Sequence, residues 1–188
     1  MTNHYFRRRA LLAPTLALLG LSGAFGVQQT GVASPPATLP TVAAIALNRT
    51  KISLPQDFSA PLNLLILPFA RNQQSTVESW LPVVSTTPVA HSEIQTWVLP
   101  ISSKENTLYK WWADSSMRGS LPAQQQQQFT VPLYVDKARF LRALRIPSEK
   151  ETVILLTDKA GHVVWRSAGA ATDQKKESLV AFLRTQTP

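Results

Sequence analysis

The chain has 188 residues, of which 44% are hydrophobic and 16% are charged, and it contains no cysteine. This length and composition suit one globular domain with a short appendage. Without cysteine, disulfide bonds, thiolate nucleophiles and thiolate metal ligands are all excluded. The formal net charge is +8, but the Lys and Arg residues are scattered among Asp and Glu, which argues against a nucleic-acid-binding face.

Residues 1–33 have the layout of an export signal. Three arginines at 7–9 precede an apolar run from Ala10 to Leu21, and small residues follow. The pair Arg8-Arg9 also fits a twin-arginine signal, so ordinary secretory export and twin-arginine export both stay open. We expect a periplasmic or secreted protein. An uncleaved membrane anchor is the second choice, because the run is shorter than the roughly 20 residues of a spanning helix.

Residues 34–48 are rich in Pro, Ala, Thr and Val and carry no charge. This composition is typical of a flexible linker. We therefore expect a tether over residues 34–48 and a folded domain over residues 49–188.

Four apolar segments of that domain predict strands. Residues 61–70 and 153–156 are continuous apolar runs, as in strands that are buried on both faces. Residues 94–101 predict another strand. Residues 129–136 predict a short strand at a sheet edge, because Pro132 cannot donate a hydrogen bond to a neighbouring strand.

The first helix is predicted between residues 61–70 and 94–101. Ser75 and Glu78 match a capping box, and Trp80 lies on the apolar stripe that follows. Pro82 should kink or end this helix.

Later helices are each preceded by a residue that can cap the first turn. These capping residues are Ser102 or Ser103, then Asp136, then Thr172 or Asp173. A turn over residues 158–161 joins the strand at 153–156 to a further strand. Alternating strands and helices that end in a hairpin and a helix predict an α/β sandwich with a mixed sheet.

This order of elements, together with LLTDKAGHVVWRSAG at residues 155–169, resembles the thioredoxin-like superfamily over roughly residues 50–185. The resemblance implies a three-layer sandwich around a central mixed β-sheet. Within it, segments 65–82, 117–122 and 133–172 are most similar to the mitochondrial ATP synthase assembly factor family, often called assembly factor ten. That similarity implies an assembly role, with a membrane complex as a candidate partner.

The resemblance also implies that the redox site is missing. Redox members carry Cys-x-x-Cys between the first central strand and its helix, whereas residues 70–75 read ARNQQS here. The cis-proline of those members should fall near Thr152, and Pro147 comes too early. We therefore expect Gln73 and Gln74 to be dispensable for both folding and partner binding.

No catalytic, cofactor-binding or metal-ligating set is recognisable in the sequence. His91 and His162 are far apart, have no carboxylate at ligand spacing and are best interpreted as surface or turn residues. Ser75 has no base nearby and is better explained as a helix cap than as a nucleophile. We expect no metal, no cofactor, no nucleic acid and no small-molecule substrate.

Trp111, Trp112, Met117 and Arg118 form the candidate partner surface. Adjacent tryptophans on a helix cannot both point inward, and a thioether beside a guanidinium suits a protein contact. An ordinary loop at 117–122 is the alternative interpretation. The sequence thus predicts a non-catalytic protein-binding or assembly factor outside the cytoplasm. A degenerate peroxiredoxin or thioredoxin-type enzyme, with lost or replaced redox chemistry, is the alternative.

Overall fold

The computed structural model describes residues 36–86, 93–103 and 127–186, so the predicted leader lies outside the described residues. The strands are β1 Val42–Ile45, β2 Lys51–Leu54, β3 Leu62–Leu67, β4 Ile94–Val98, β5 Ile101–Ser103, β6 Leu133–Val135, β7 Val153–Asp158 and β8 Val163–Ala168. The helices of the described ranges are α1 Gln74–Thr86, α2 Lys137–Ala143 and α3 Asp173–Gln186. None of them is long and apolar enough to cross a membrane.

The central sheet has the strand order β4-β3-β7-β8. β3 runs parallel to β4 and antiparallel to β7, and β7 runs antiparallel to β8, so the sheet is mixed as the sequence predicts. Beyond β4 the chain continues into β5, which pairs in parallel with β6. Within the described ranges β6 has no other strand partner, in agreement with the edge position that Pro132 indicates.

β3 is buried on both faces and separates two apolar clusters. Leu64 and Ile66 pack with α1 and α3, in a cluster completed by Val77, Trp80, Val83, Leu179 and Leu183. Leu65 and Leu67 point to the opposite side, where they pack with α2 and the β1-β2 hairpin in a cluster that contains Leu39, Phe58, Trp97, Phe140 and Leu144. Alternate side chains of one strand therefore anchor both outer layers of a three-layer sandwich.

The expectation of a flexible linker over residues 34–48 is wrong for its described part. Val42–Ile45 is β1, which pairs antiparallel with β2. Ala37 and Leu39 are buried, and the Leu39 amide donates to the carbonyl oxygen of Gly161 at 2.8 Å. Four of the small and apolar residues that make the segment look like a tether are buried in the domain, namely Ala37, Leu39, Ala46 and Leu47.

The start of α1 also differs from the prediction. A 3-10 turn, Arg71–Gln73, precedes α1, so Ser75 lies inside the helix and is not its cap. Pro82 does not end the helix, which continues to Thr86. Burial of Val77, Trp80 and Val83 on one face holds this helix across the proline.

The structure shows what lies at each of the other positions predicted to cap a helix. Asp136 caps α2, since its Oδ1 accepts a hydrogen bond from the Arg139 amide at 3.0 Å. Thr172 directly precedes α3, and its carbonyl oxygen accepts from the Lys176 amide at 3.0 Å. Ser102 and Ser103 lie in β5, and the helix predicted after them lies outside the described residues.

Trp80 is the largest side chain of the α1 side of the core and is fully buried, with its Nε1 donating to the Gly169 carbonyl oxygen at 2.9 Å. We predict that Trp80→Ala lowers the free energy of unfolding by about 3–5 kcal/mol, because it leaves a cavity and removes this hydrogen bond. Leu81→Ala is the matched control. Leu81 is 38% exposed, so its loss should cost within about 0.5 kcal/mol. Urea unfolding of both variants measures the difference, and equal costs would contradict this packing.

Candidate functional site

The four candidate contact residues, Trp111, Trp112, Met117 and Arg118, lie outside the described residues, as does His91. The site that the structure does describe is the end of β3, where the chain turns into α1. This is the segment, residues 70–75, that carries the cysteine pair in redox members of the superfamily that the sequence resembles.

Gln73 is the buried residue of this turn, with 7% of its surface exposed. Its side-chain amide makes hydrogen bonds in two directions. Oε1 accepts from the Phe69 backbone amide at 2.7 Å, and Nε2 donates to the Glu149 carbonyl oxygen at 2.9 Å. The turn after β3 is thereby fixed to the loop that precedes β7.

Thr152 completes the same cluster from the other side. It directly precedes β7, is 1% exposed, and its Oγ1 donates to Gln73 Oε1 at 3.4 Å. The Thr152 carbonyl oxygen accepts from the Gly169 amide at 2.9 Å. The structure thus brings Gln73, from the segment in which the resemblance implies the cysteine pair, into contact with Thr152, near which it implies the cis-proline.

The loop between β8 and α3 closes over this cluster. Its Gly169 adopts a φ of +73°, and a Cβ there would lie 3.1 Å from Glu151 Oε1, so glycine suits the position. The Ala171 amide donates to Ser79 Oγ of α1 at 3.0 Å. Lys175 Nζ donates to the Ala168 carbonyl oxygen at 2.5 Å. The start of α1, the start of β7 and the end of β8 are therefore held as one unit.

The chemistry available in this cluster is that of neutral hydrogen bonding. Gln73 and Thr152 contribute no thiolate, and neither side chain has an imidazole or carboxylate as a hydrogen-bond partner. Within the described part of the chain, every buried side-chain nitrogen and oxygen has a partner, and no group of three or more His, Asp and Glu could hold a metal ion. The hydrogen bonds of the cluster are satisfied internally and stabilise the fold.

Comparison with solved structures identifies the fold. A candidate electron transfer protein from Aquifex aeolicus VF5 matches with a TM-score of 0.56 and 12% identity, covering 80% of this chain and 97% of that one. BsSco, of the Sco family of cytochrome c oxidase assembly proteins, matches with a TM-score of 0.55 and 9% identity, over 81% of this chain and 95% of that one. The fold is thioredoxin-like. The pneumococcal exposed lipoprotein thioredoxin Etrx1, from Streptococcus pneumoniae strain TIGR4, matches with a TM-score of 0.53 and 12% identity, over 78% of this chain and 99% of that one.

The structural similarity establishes the thioredoxin-like fold, and at identities of 9% to 12% it establishes no narrower family. No protein-family model matches the chain, and no curated protein matches it. The similarity to ATP synthase assembly factors therefore rests on the sequence segments alone.

The hydrogen bonds of Gln73 argue against the expectation that it is dispensable for folding, because its side chain joins the turn to the loop before β7. Sequence reasoning grouped it with Gln74, whose exposed side chain donates to Glu78 Oε1 at 3.1 Å. No local pattern separates two adjacent glutamines, because the acceptor that distinguishes Gln73 lies 76 residues away.

His162 lies at the β7-β8 turn, as the interpretation of a turn histidine implies. Its Nδ1 lies 2.8 Å from Asp158 Oδ2, and its backbone amide donates to Asp158 Oδ1 at 2.8 Å. Partial burial raises the pKa of the Asp158 carboxyl. The hydrogen bonds and charge of His162 outweigh this effect, so that the pKa lies below the ordinary value of 3.8.

We predict that Gln73→Ala lowers the free energy of unfolding by about 1–3 kcal/mol, because the Phe69 amide and the Glu149 carbonyl both lose a buried partner. Gln74→Ala is the matched control and should cost within about 0.5 kcal/mol, since this side chain is exposed. Chemical denaturation of the two variants tests the difference. A Gln73→Ala protein as stable as the Gln74→Ala protein would show that the cluster does not hold the turn.

The lowered pKa of Asp158 predicts a pH dependence. The stability that the ionised Asp158 carboxylate contributes is fully present above pH 3.8. It is lost as the pH falls through the lower pKa that Asp158 has in the folded state. Both side chains are more than a third exposed, so we expect less than about 1 kcal/mol. Melting of the wild type and of Asp158→Asn should differ near neutral pH and converge only in acid below the folded-state pKa of Asp158, which is itself lower than 3.8. A difference that persists unchanged in acid would contradict this assignment.

Proposed function

We propose that this protein is a non-catalytic protein-binding or assembly factor that acts outside the cytoplasm. The observation that carries the proposal is the internally satisfied cluster of Gln73 and Thr152 at the place of the redox pair. Thiol-disulfide exchange requires a thiolate, and the chain contains no cysteine. A thioredoxin-like frame that is kept intact without its thiol can still present loops and helix faces to another protein.

Two of the structural neighbours are consistent with the proposed role and compartment. BsSco belongs to a family of cytochrome c oxidase assembly proteins, and Etrx1 is an exposed lipoprotein. The cationic and apolar pattern of residues 1–33 supports export. The narrower part of the proposal, a role similar to that of ATP synthase assembly factors, is supported by segments 65–82, 117–122 and 133–172.

The proposed partner is a protein, and a membrane complex is a candidate. We assign its contact to Trp111, Trp112, Met117 and Arg118, because aromatic, thioether and guanidinium groups are enriched where protein surfaces desolvate one another.

A second candidate function is a degenerate thioredoxin-type or peroxiredoxin-type enzyme in which other groups replace the thiol. The fold of the neighbours supports it, since Etrx1 is a thioredoxin. The two candidates differ in a direct assay. The binding protein shows no reduction of insulin disulfides or hydrogen peroxide above background, whereas turnover of either substrate by the purified protein would establish the enzyme.

Partner capture tests the first candidate. We predict that chemical crosslinking in cells captures a specific protein with the wild type, and that Arg118→Ala weakens this capture while the melting temperature stays nearly unchanged. A change at a contact residue on the surface costs within about 0.5 kcal/mol of stability. Arg184→Ala, an exposed arginine on α3, is the matched control and should capture as the wild type does.

Each other outcome of the capture experiment has a definite meaning. Capture of no specific protein by the wild type contradicts the proposed function. An Arg118→Ala protein that unfolds, or that folds and captures as well as the wild type, contradicts the assignment of the contact surface.

A further inference from the structure

Arg145 is exposed two residues after α2 ends, and α2 itself carries two exposed arginines three residues apart, Arg139 and Arg142. This spacing places neighbouring side chains on one side of the helix. The carboxylates closest to them in sequence are engaged elsewhere, because Asp136 caps the helix and Glu149 pairs with Lys137. Within the described ranges, neither Arg139 nor Arg142 forms an ion pair. The side chains of α2 therefore carry positive charge and no negative charge.

Arg166 of β8 extends this surface to the edge of the sheet. Its guanidinium donates to the carbonyl oxygens of Leu144 and Arg145, each at 3.2 Å. These bonds fix the end of α2 against β8 and join Arg166 to the row on α2. We call Arg139, Arg142, Arg145 and Arg166 the arginine surface.

Helix stabilisation explains only part of the arginine surface. Arg166 caps the carboxyl end of α2, and cations near that end, such as Arg142, are favoured by the helix dipole. Arg139 lies in the first turn of α2, where the dipole favours anions instead. The helix dipole therefore does not account for the charge of Arg139.

An open groove of about 360 Å³ adjoins the arginine surface along β8. Arg145 and Arg166 line it together with Val164, Trp165 and Pro36. Val164 is 38% exposed, which is unusual for a large apolar residue of the described chain. The groove thus combines guanidinium groups with an uncovered apolar floor.

β8 is the last strand of the central sheet beside this groove, and its strand neighbour in the described ranges is β7. On its other side the chain near Ala37 pairs with the start of β8, where the Val163 amide donates to the Ala37 carbonyl oxygen at 2.8 Å.

We propose that the arginine surface and this groove bind an acidic, extended segment of the protein partner, with an apolar side chain of that segment in the groove. The inference rests on the proposed function and names the chemistry of the partner. Guanidinium groups bind carboxylates in a paired, directional geometry, which supports a protein segment with Asp or Glu residues. A concave, partly apolar groove favours a peptide side chain over the flat surface of a membrane.

The test uses a fluorescent synthetic peptide in which Glu alternates with Val. Comparison peptides alternate Glu with Ser, and Lys with Val, and phosphatidylglycerol vesicles provide an anionic membrane. We expect the full chain to bind the Glu-Val peptide, to bind the Glu-Ser peptide more weakly, and to bind neither the Lys-Val peptide nor the vesicles comparably.

The variant Arg139→Glu with Arg142→Glu should raise the Kd for the Glu-Val peptide roughly tenfold or more, since it places like charges opposite the peptide. Arg139→Gln with Arg142→Gln removes the charges without reversing them and serves if the first variant does not fold. The matched control, Lys51→Glu with Arg184→Glu, makes the same change of net charge at two exposed residues that belong to neither the arginine surface nor the groove. Its Kd should equal that of the wild type.

Several results would overturn the inference. They are an unchanged Kd in both arginine variants, equal affinity for the Glu-Ser and Glu-Val peptides, and tighter binding to vesicles than to peptide. If crosslinking captures a partner with the wild type and equally with the folded arginine variant, the proposed function stands and this inference fails. If the wild type captures no partner, the proposed function itself fails.

Discussion

Burial of β3 on both faces is the constraint on which the rest of the fold depends. Its even and odd side chains, from Leu64 to Leu67, anchor the two apolar clusters on opposite sides of the sheet. The strand is also paired on both edges, in parallel with β4 and antiparallel with β7. The backbone N–H and C=O groups of such a strand find hydrogen-bond partners in the neighbouring strands. Where the strand ends, the backbone groups need other partners.

Gln73 supplies such a partner at the carboxyl end of β3. After β3 the chain must turn sharply into α1, and the Phe69 amide would be left without a partner if the Gln73 side chain did not accept from it at 2.7 Å. The side-chain amide of Gln73 also donates to the Glu149 carbonyl oxygen and thereby fixes the loop that leads into β7. In thioredoxin-like redox proteins this corner performs thiol chemistry. Here a neutral side chain with both a donor and an acceptor maintains the geometry without a reactive group.

Local patterns predicted the elements whose signals are local. The apolar runs gave β3 and β7, Asp136 was correctly expected to cap α2, and the β7-β8 turn lies where it was predicted. The errors arise where distant contacts decide. The composition of residues 36–48 does not show that they pack on the core. No residue near Gln73 in sequence indicates that its side chain bonds to Glu149, 76 residues away. The groove beside Val164 likewise depends on tertiary packing, because it forms where β8 meets Arg145 and the chain at Pro36 and Ala37.

The central claim is that the corner after β3 is a closed structural cluster and not a reaction centre. Amide hydrogen exchange at Phe69 tests this claim most directly, because its N–H donates to Gln73 Oε1 within the cluster. If the cluster is closed, this amide exchanges only through global unfolding, as slowly as the amides in the centre of β3. Exchange much faster than that of β3 would show that the corner opens in the native state and is accessible to a substrate, which would contradict the account.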